Sequence, residues 1–239
     1  MRLLIFIPAR QGSKGIKGKN FKKLNGKPLI DYTIKFSRKL IHSKKNCSIF
    51  FSSDSLKYLR YSQKKGIRFN YLRPRKFARD NSNIIDAVLH GVDWLKSNKN
   101  LFFDTILLLQ PTSPFRNIKE INKAINIFKK KKINSLISVT DMEEHPYKCL
   151  KLKKNNWSFL EKKNKNIFRR QQYKNNKFDY CFIDGTFYLA NLNFLRKYKS
   201  FIQEGKTKLF RLRGKRPPDI DHISDFQITE LFYKKYVRF

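Results

Sequence analysis

Apolar and polar positions alternate in blocks along this chain, and the blocks differ in period. Leu3 to Ile7 is a short continuous apolar run ending at Pro8, which reads as a buried strand. Leu29, Ile30, Thr33, Ile34, Ser37 and Leu40 then recur at helical spacing. Ser48 to Phe51 is a second strand, ending in the polar turn Ser52-Ser53-Asp54-Ser55, which can cap a helix from about Leu56 to Lys65. Ile67 to Leu72 reads as a third short strand. The turn Asp80 to Asn83 opens a helix carrying Ile85, Val88, Leu89, Val92 and Leu95.

Thr105 to Leu109 is continuously apolar, as expected at the buried centre of a parallel sheet. A helix from about Ile118 to Phe128 and a strand over Ser135 to Val139 follow. The alternation then lapses from Met142 to about Lys177, a polar segment anchored by Trp157 and Phe159, which predicts an inserted, hairpin-rich arm (about 142–180). Phe182 to Leu189 predicts a strand that returns to the main sheet. A short helix at Asn191 to Tyr198, a strand at Leu209 to Leu212 and a last helix at Ile223 to Tyr236 complete the pattern. Strands alternating with helices imply βαβ units, hence a doubly wound, mostly parallel α/β sheet in a single domain spanning 1–239.

Composition sharpens this picture unevenly. With 239 residues, 22 Phe and 11 Tyr, the chain can bury a sizeable core. The formal net charge of +36 admits three readings: nucleic-acid binding, attraction of acidic substrates, or a lineage drift towards Lys, Asn, Ile and Phe. The cations are spread over the whole chain with no basic tail, which favours drift. Cys47, Cys149 and Cys181 are odd in number and far apart, so they predict neither a disulfide framework nor a metal-ligand pair. The first apolar run is too short for a signal peptide and no run approaches membrane-spanning length, so the expectation is a cytoplasmic protein without a membrane partner.

Four stretches carry candidate chemistry. After the first strand, Arg10 to Asn20 holds Gly12, Gly15 and Gly18 among Arg10, Lys14, Lys17 and Lys19. A cationic, glycine-rich loop at the end of a first strand suits phosphates. It is not a Walker loop, which needs Gly where Ser13 stands and Ser or Thr where Asn20 stands; the dinucleotide spacing fails too. Its bland alternative is an exposed basic turn. Second, Asp219-Ile220-Asp221 follows two prolines that favour extended backbone, so both carboxylates point to one side and could hold a hard divalent cation. The alternative is an acidic turn in which Asp221 or Ser224 caps the last helix.

Third, Gln110-Pro111-Thr112-Ser113-Pro114-Phe115-Arg116 leaves a central strand where ligands bind in such sheets, unless Thr112 or Ser113 merely caps a helix. Fourth, Phe168-Arg169-Arg170-Gln171-Gln172 suits a carboxylate or phosphate, or is a solvated basic hairpin. None of His42, His90, His145 or His222 has neighbours that suggest a catalytic triad.

Taken in order, these stretches resemble the acylneuraminate cytidylyltransferases. The resemblance rests on Ile7 to Gly15 with Lys19-Asn20, Leu72-Arg73-Pro74, the Ala78 to Ser82 turn, Leu108 to Pro114 with Arg116, His145 to Lys148, Arg170-Gln171-Gln172 and Asp219-Ile220-Asp221. It spans nearly the whole chain. It implies a fold like that of the nucleotide-diphospho-sugar transferases, with the arm serving a homodimer. It also implies transfer of CMP from CTP to a nine-carbon acidic sugar with release of pyrophosphate, as in cell-surface polysaccharide biosynthesis.

By that resemblance Arg10, Gly12, Ser13, Lys14, Lys19, Asn20, Arg73 and Ser82 would surround the nucleotide, and Asp219 and Asp221 would hold Mg²⁺. Gln110, Arg170 and Gln171 would face the sugar, as would Lys148, with the partner subunit as one source. Arg10, Lys19 and Asp221 would carry the catalysis. One departure is Ile183-Asp184, where relatives using N-acetylneuraminate often carry a basic residue and an amide; this leaves legionaminate- and pseudaminate-type sugars open. An eight-carbon acid sugar is the nearer rival substrate, and nucleic-acid binding the rival of a different class.

Overall fold

The structure, a computed structural model, describes residues 1–12, 15–42, 44–142, 144–153, 156–160, 180–214 and 216–236. In chain order, β1 (Leu3–Pro8) leads through a loop to a small hairpin of β2 (Lys23–Leu24) and β3 (Lys27–Pro28). Asn25 and Gly26 form its two-residue turn, both with positive φ, as a right-twisted hairpin of that length requires. Next come α1 (Leu29–Ile41), β4 (Cys47–Ser52), α2 (Leu56–Lys64), α3 (Ile84–Lys99), β5 (Thr105–Leu108), α4 (Ile118–Lys130) and β6 (Ser135–Asp141). A hairpin of β7 (Leu150–Lys153) and β8 (Asn156–Phe159) stands apart from the main sheet. The chain closes with β9 (Cys181–Asn191), α5 (Leu192–Tyr198), β10 (Lys208–Arg211) and α6 (Ile223–Tyr236).

The main sheet has six strands in the order β10-β6-β9-β5-β1-β4. β1 pairs in parallel with β4 and β5, and β10 with β6, whereas β9 runs antiparallel between β5 and β6. The returning strand expected at Phe182 to Leu189 is therefore present, longer, and reversed. Strand alternation divides the core into two layers. Leu3, Ile5 and Ile7 of β1 pack with Ile34, Tyr58, Ile121 and Ile125 from α1, α2 and α4. Leu4 and Phe6 face the other way, towards Val88, Leu95, Phe194 and Leu195 of α3 and α5. Each such side chain, fully buried, contributes about 1.5–3 kcal/mol. Among the described residues, no helix is long and apolar enough to cross a membrane.

The expectation of a third strand at Ile67 to Leu72 is corrected. Its inward positions, Ile67 and Tyr71, are buried, so the period-two pattern was real. Yet β4 ends at Ser52, and only a single bridge, Ser53 to Leu72, joins the segment to the sheet's edge. A further small cluster, Ile16, Leu24, Leu29, Ile220 and Phe226, lies outside both layers. It fastens the first loop to the start of α6, and thereby brings two regions some two hundred residues apart to one place.

Candidate nucleotide and metal site

The first loop leaves β1 over the C-terminal edge of the sheet and is held from several sides. Asp54 Oδ1 accepts the Gln11 amide at 2.8 Å. Arg10 pairs with Asp80 at 2.6 Å, and the Arg10 carbonyl accepts the Asn20 side-chain amide at 3.0 Å. Asn20 is buried, so its amide ties the loop's two ends together. Gly15 lies against the other side of the site: a Cβ there would sit 2.2 Å from the Asp221 carbonyl oxygen. Only glycine fits that approach. Gly12 has open space around it. Ser13 and Lys14 lie outside the described residues.

Across from the loop, the expectation of an extended Asp219-Ile220-Asp221 is corrected: the chain bends at Ile220 as it turns into α6. Ile220 is fully buried in the third cluster, and the charges of Asp221 and Lys19 both act on the Asp219 carboxylate. The Ile220 amide bonds the Thr112 carbonyl at 3.1 Å, which fixes the segment to the turn after β5. Ser113 donates to Asp219 Oδ1 at 2.9 Å, and Thr112 also bonds this carboxylate. Lys19 reaches over from the loop: its Nζ donates to the Ile220 carbonyl at 2.6 Å and lies 3.1 Å from Asp221 Oδ1.

Burial pushes the Asp219 carboxyl above its ordinary range; the hydroxyls of Thr112 and Ser113 and the charge of Lys19 oppose this, while Asp221 adds to it. The helix-cap alternatives for these residues give way. Asp225, in the first turn of α6, accepts the amides of Asp221 (3.0 Å) and His222 (2.7 Å), and Asn117 caps α4. The Asp221 carboxylate, Thr112 and Ser113 are thus left to the site. Ser55 begins α2 without a side-chain cap, and Asp54 of the same turn accepts the Gln11 amide of the loop. Among the described residues no three His, Cys, Asp or Glu side chains cluster; Asp219 and Asp221 are two hard oxygen donors that could hold a divalent cation.

The remaining residues singled out in the sequence occupy distinct places. Arg73 is buried beneath the loop; its Nε and a terminal nitrogen donate to the Ser52 hydroxyl and carbonyl at 2.9 and 2.5 Å. Desolvation pulls its guanidinium down to about 10, partly offset by Tyr71 and Asp54. Ser82 spends its hydroxyl on its own turn, accepting from Arg79 and donating to the Lys76 carbonyl. The Gln110 carbonyl accepts from Arg116. Lys148 sits in a turn at the base of the arm, 2.7 Å from Glu144. Arg170 and Gln171 lie outside the described residues. Sequence reasoning missed Asp54, Asp80 and Ile16; Asp54 stood in a turn read only as a helix cap.

A family model described as cytidylyltransferase matches residues 4–235. The CMP-N,N'-diacetyllegionaminic acid synthase of Legionella pneumophila is 32% identical over 232 residues, covering 96% of this chain and 95% of that protein. The pseudaminic acid cytidylyltransferase of Campylobacter jejuni serotype O:23/36 is 27% identical over 237 residues, covering 98% and 97%. The fold is shared with a CMP:2-keto-3-deoxy-manno-octonic acid synthetase solved with CTP, at a TM-score of 0.68 and 13% identity, covering 98% and 99% of the two chains. The chain therefore belongs to the cytidylyltransferase family and is a nucleotidyltransferase.

Proposed function

We propose that this enzyme joins CMP, taken from CTP, to a nonulosonic acid of the legionaminate type and releases pyrophosphate. The observation that carries the reading is the meeting of Lys19 with Asp221 at 3.1 Å, which makes the cationic loop and the carboxylate pair one site. The near-full-length similarity to a legionaminic acid synthase supports the choice of sugar.

In this reading the sugar's anomeric hydroxyl attacks the α-phosphorus in line. A new P–O bond forms, the bond to the β-phosphate breaks, and the hydroxyl proton passes to solvent. Such chemistry depends on positioning and charge neutralisation rather than on covalent help from the protein. Arg10 and Lys19 neutralise the departing pyrophosphate, Lys19 exchanging Asp221 for a phosphate oxygen. Asn20 and Arg73 hold the loop's shape from below, and Gly12, Ser13, Lys14 and Ser82 complete the nucleotide's surroundings. Gln110, Lys148, Arg170 and Gln171 face the acidic sugar.

The donor set fits Mg²⁺: two carboxylates flanking a buried isoleucine, one of them buried within reach of the other's charge. Asp219 and Asp221 would hold the ion, which when bound neutralises charge between them and the phosphates. We also infer a homodimer through the arm (about 142–180). Cross-strand pairing puts Leu150, Leu152, Trp157 and Phe159 on one face of the β7–β8 hairpin, and all four are exposed. A second copy of that face covers apolar area and brings Lys148 towards the partner's sugar site.

Asp221→Asn tests the assignment. CTP should still bind, measured calorimetrically, while CMP transfer is lost; full transfer in this variant would overturn the carboxylate's role.

A further inference from the structure

Arg116 lies between the site and the sheet, in the turn after β5. Its guanidinium donates to three acceptors from different parts of the fold: the Thr186 carbonyl at 2.8 Å, the Thr33 hydroxyl at 3.1 Å and the Gln110 carbonyl at 2.6 Å. Desolvation draws it down to about 9, and the charges of Asp219 and Asp184 support it. The Thr186 end of this contact is unusual backbone. Along β6 and β9 the register runs from Ile137 opposite Tyr188 to Val139 opposite Ile183, so β9 loops out between these pairs. Bulges of this kind re-aim backbone beside functional sites.

Within the bulge, Asp184 folds back on Thr186. Its Oδ1 accepts the Thr186 amide at 3.2 Å and its Oδ2 the Thr186 hydroxyl at 2.6 Å. The residue between them, Gly185, has φ +73° and faces the metal carboxylate; a Cβ there would lie 3.2 Å from Asp219 Oδ2 and 3.3 Å from Ser113 Oγ. Gly185 is thus one wall of the slot in which Asp219 sits, Ser113 being another. Asp184 and Arg116 hold that wall from opposite ends of Thr186.

We propose that Asp184 is a positioning residue: with Arg116 it clamps the β9 bulge so that the Gly185 backbone seats Asp219 in its ligating rotamer. This rests on the reading of Asp219 and Asp221 as a divalent-cation pair. It also gives Asp184 a task other than meeting the sugar, since both its oxygens are engaged by Thr186.

The experiment titrates Mn²⁺ into CTP-free protein and follows the free-ion EPR signal, with circular dichroism and metal-free CTP affinity as controls. Loss of a partner behind a metal ligand weakens binding by about 10–100-fold, so Asp184→Ala and Gly185→Ala should each raise the Mn²⁺ dissociation constant by about tenfold or more. Asp184→Asn keeps an oxygen for the Thr186 amide and should recover most of that loss. CTP affinity without metal should stay near that of the unaltered protein, since both Asp184 oxygens are engaged by Thr186. Mn²⁺ binding undiminished in folded Asp184→Ala and Gly185→Ala would overturn the clamp alone. Absence of binding to the unaltered protein would overturn the cation reading together with it.

Discussion

Lys19 spans the two ends of the chain, and its environment explains what a single cation can do here. Its side chain is only 12% exposed, whereas the Asp221 side chain it meets is 68% exposed. The lysine is therefore held in place while its partner keeps a face open to solvent, a geometry suited to exchanging a carboxylate for a phosphate. A second group of side chains works behind the loop. Tyr71, pushed up to about 12 by burial, bonds His90 Nδ1 at 2.8 Å and contacts Ser52, which in turn accepts from Arg73. Burial, with help from Lys76 and against Asp93, holds His90 below its ordinary 6.5. A neutral ring with its proton on Nε2 can accept the tyrosine hydroxyl at Nδ1, and a protonated one cannot. The unfolded chain takes up the proton first as pH falls, so His90 contributes stability that is complete above about 6.5 and is lost as pH drops through its lowered folded value. Thermal unfolding between pH 7.5 and 5 should show this loss, and His90→Gln should flatten it; an unchanged slope would mean that His90 is not the group responsible.

The first loop and the carboxylate segment show which local features were legible and which were not. Glycine spacing indicated a loop that comes close to another segment, and Gly15 does so, whereas the Pro217-Pro218 lead-in indicated an extended acidic pair and the chain bends at Ile220 instead. Continuous apolar runs located β1, β4 and β5, because strands buried on both faces carry an unbroken signal. The direction of β9 was not legible, since a strand pattern carries period but not polarity. The segment at Ile67 to Leu72 misled for a similar reason: alternation reports which side chains are inward, not whether a ladder partner exists. Helix caps were misassigned where a turn residue had a distant partner, as Asp54 has in Gln11. The closeness of Gly15 to Asp221 could not be foreseen either, because it joins segments remote in sequence. A methyl at Gly15 would press on backbone 2.2 Å away, so Gly15→Ala must move the loop or the carboxylate segment. Misplacement of about 1 Å costs about 10²-fold, so kcat/KM for CTP should fall by that order in Gly15→Ala while the circular dichroism spectrum is retained. A variant with unaltered kinetics would show that the loop and segment are not held together during turnover.

Taken as one body, the protein is a two-layer wrap of helices about a six-stranded sheet, with the site along the edge where β1 and β5 end. The sheet supplies the loop after β1 and the turn after β5; the small cluster of Ile16, Ile220 and Phe226 closes the last helix onto them. The net charge of +36 lies over the same molecule and favours approach of anionic substrates, although its even spread marks no single binding face. Family membership and the joined loop and carboxylate pair point to a cytidylyltransferase, and the acceptor is the part of the account most open to direct trial. Pyrophosphate release should be followed with CTP and, in turn, legionaminic, pseudaminic and N-acetylneuraminic acids and the eight-carbon 3-deoxy-manno-octulosonic acid. The account predicts rapid release and a CMP-sugar product with a nonulosonic acid, legionaminic acid foremost, and little with the eight-carbon acid. Preference for the eight-carbon acid, or no release with any nonulosonic acid, would contradict it.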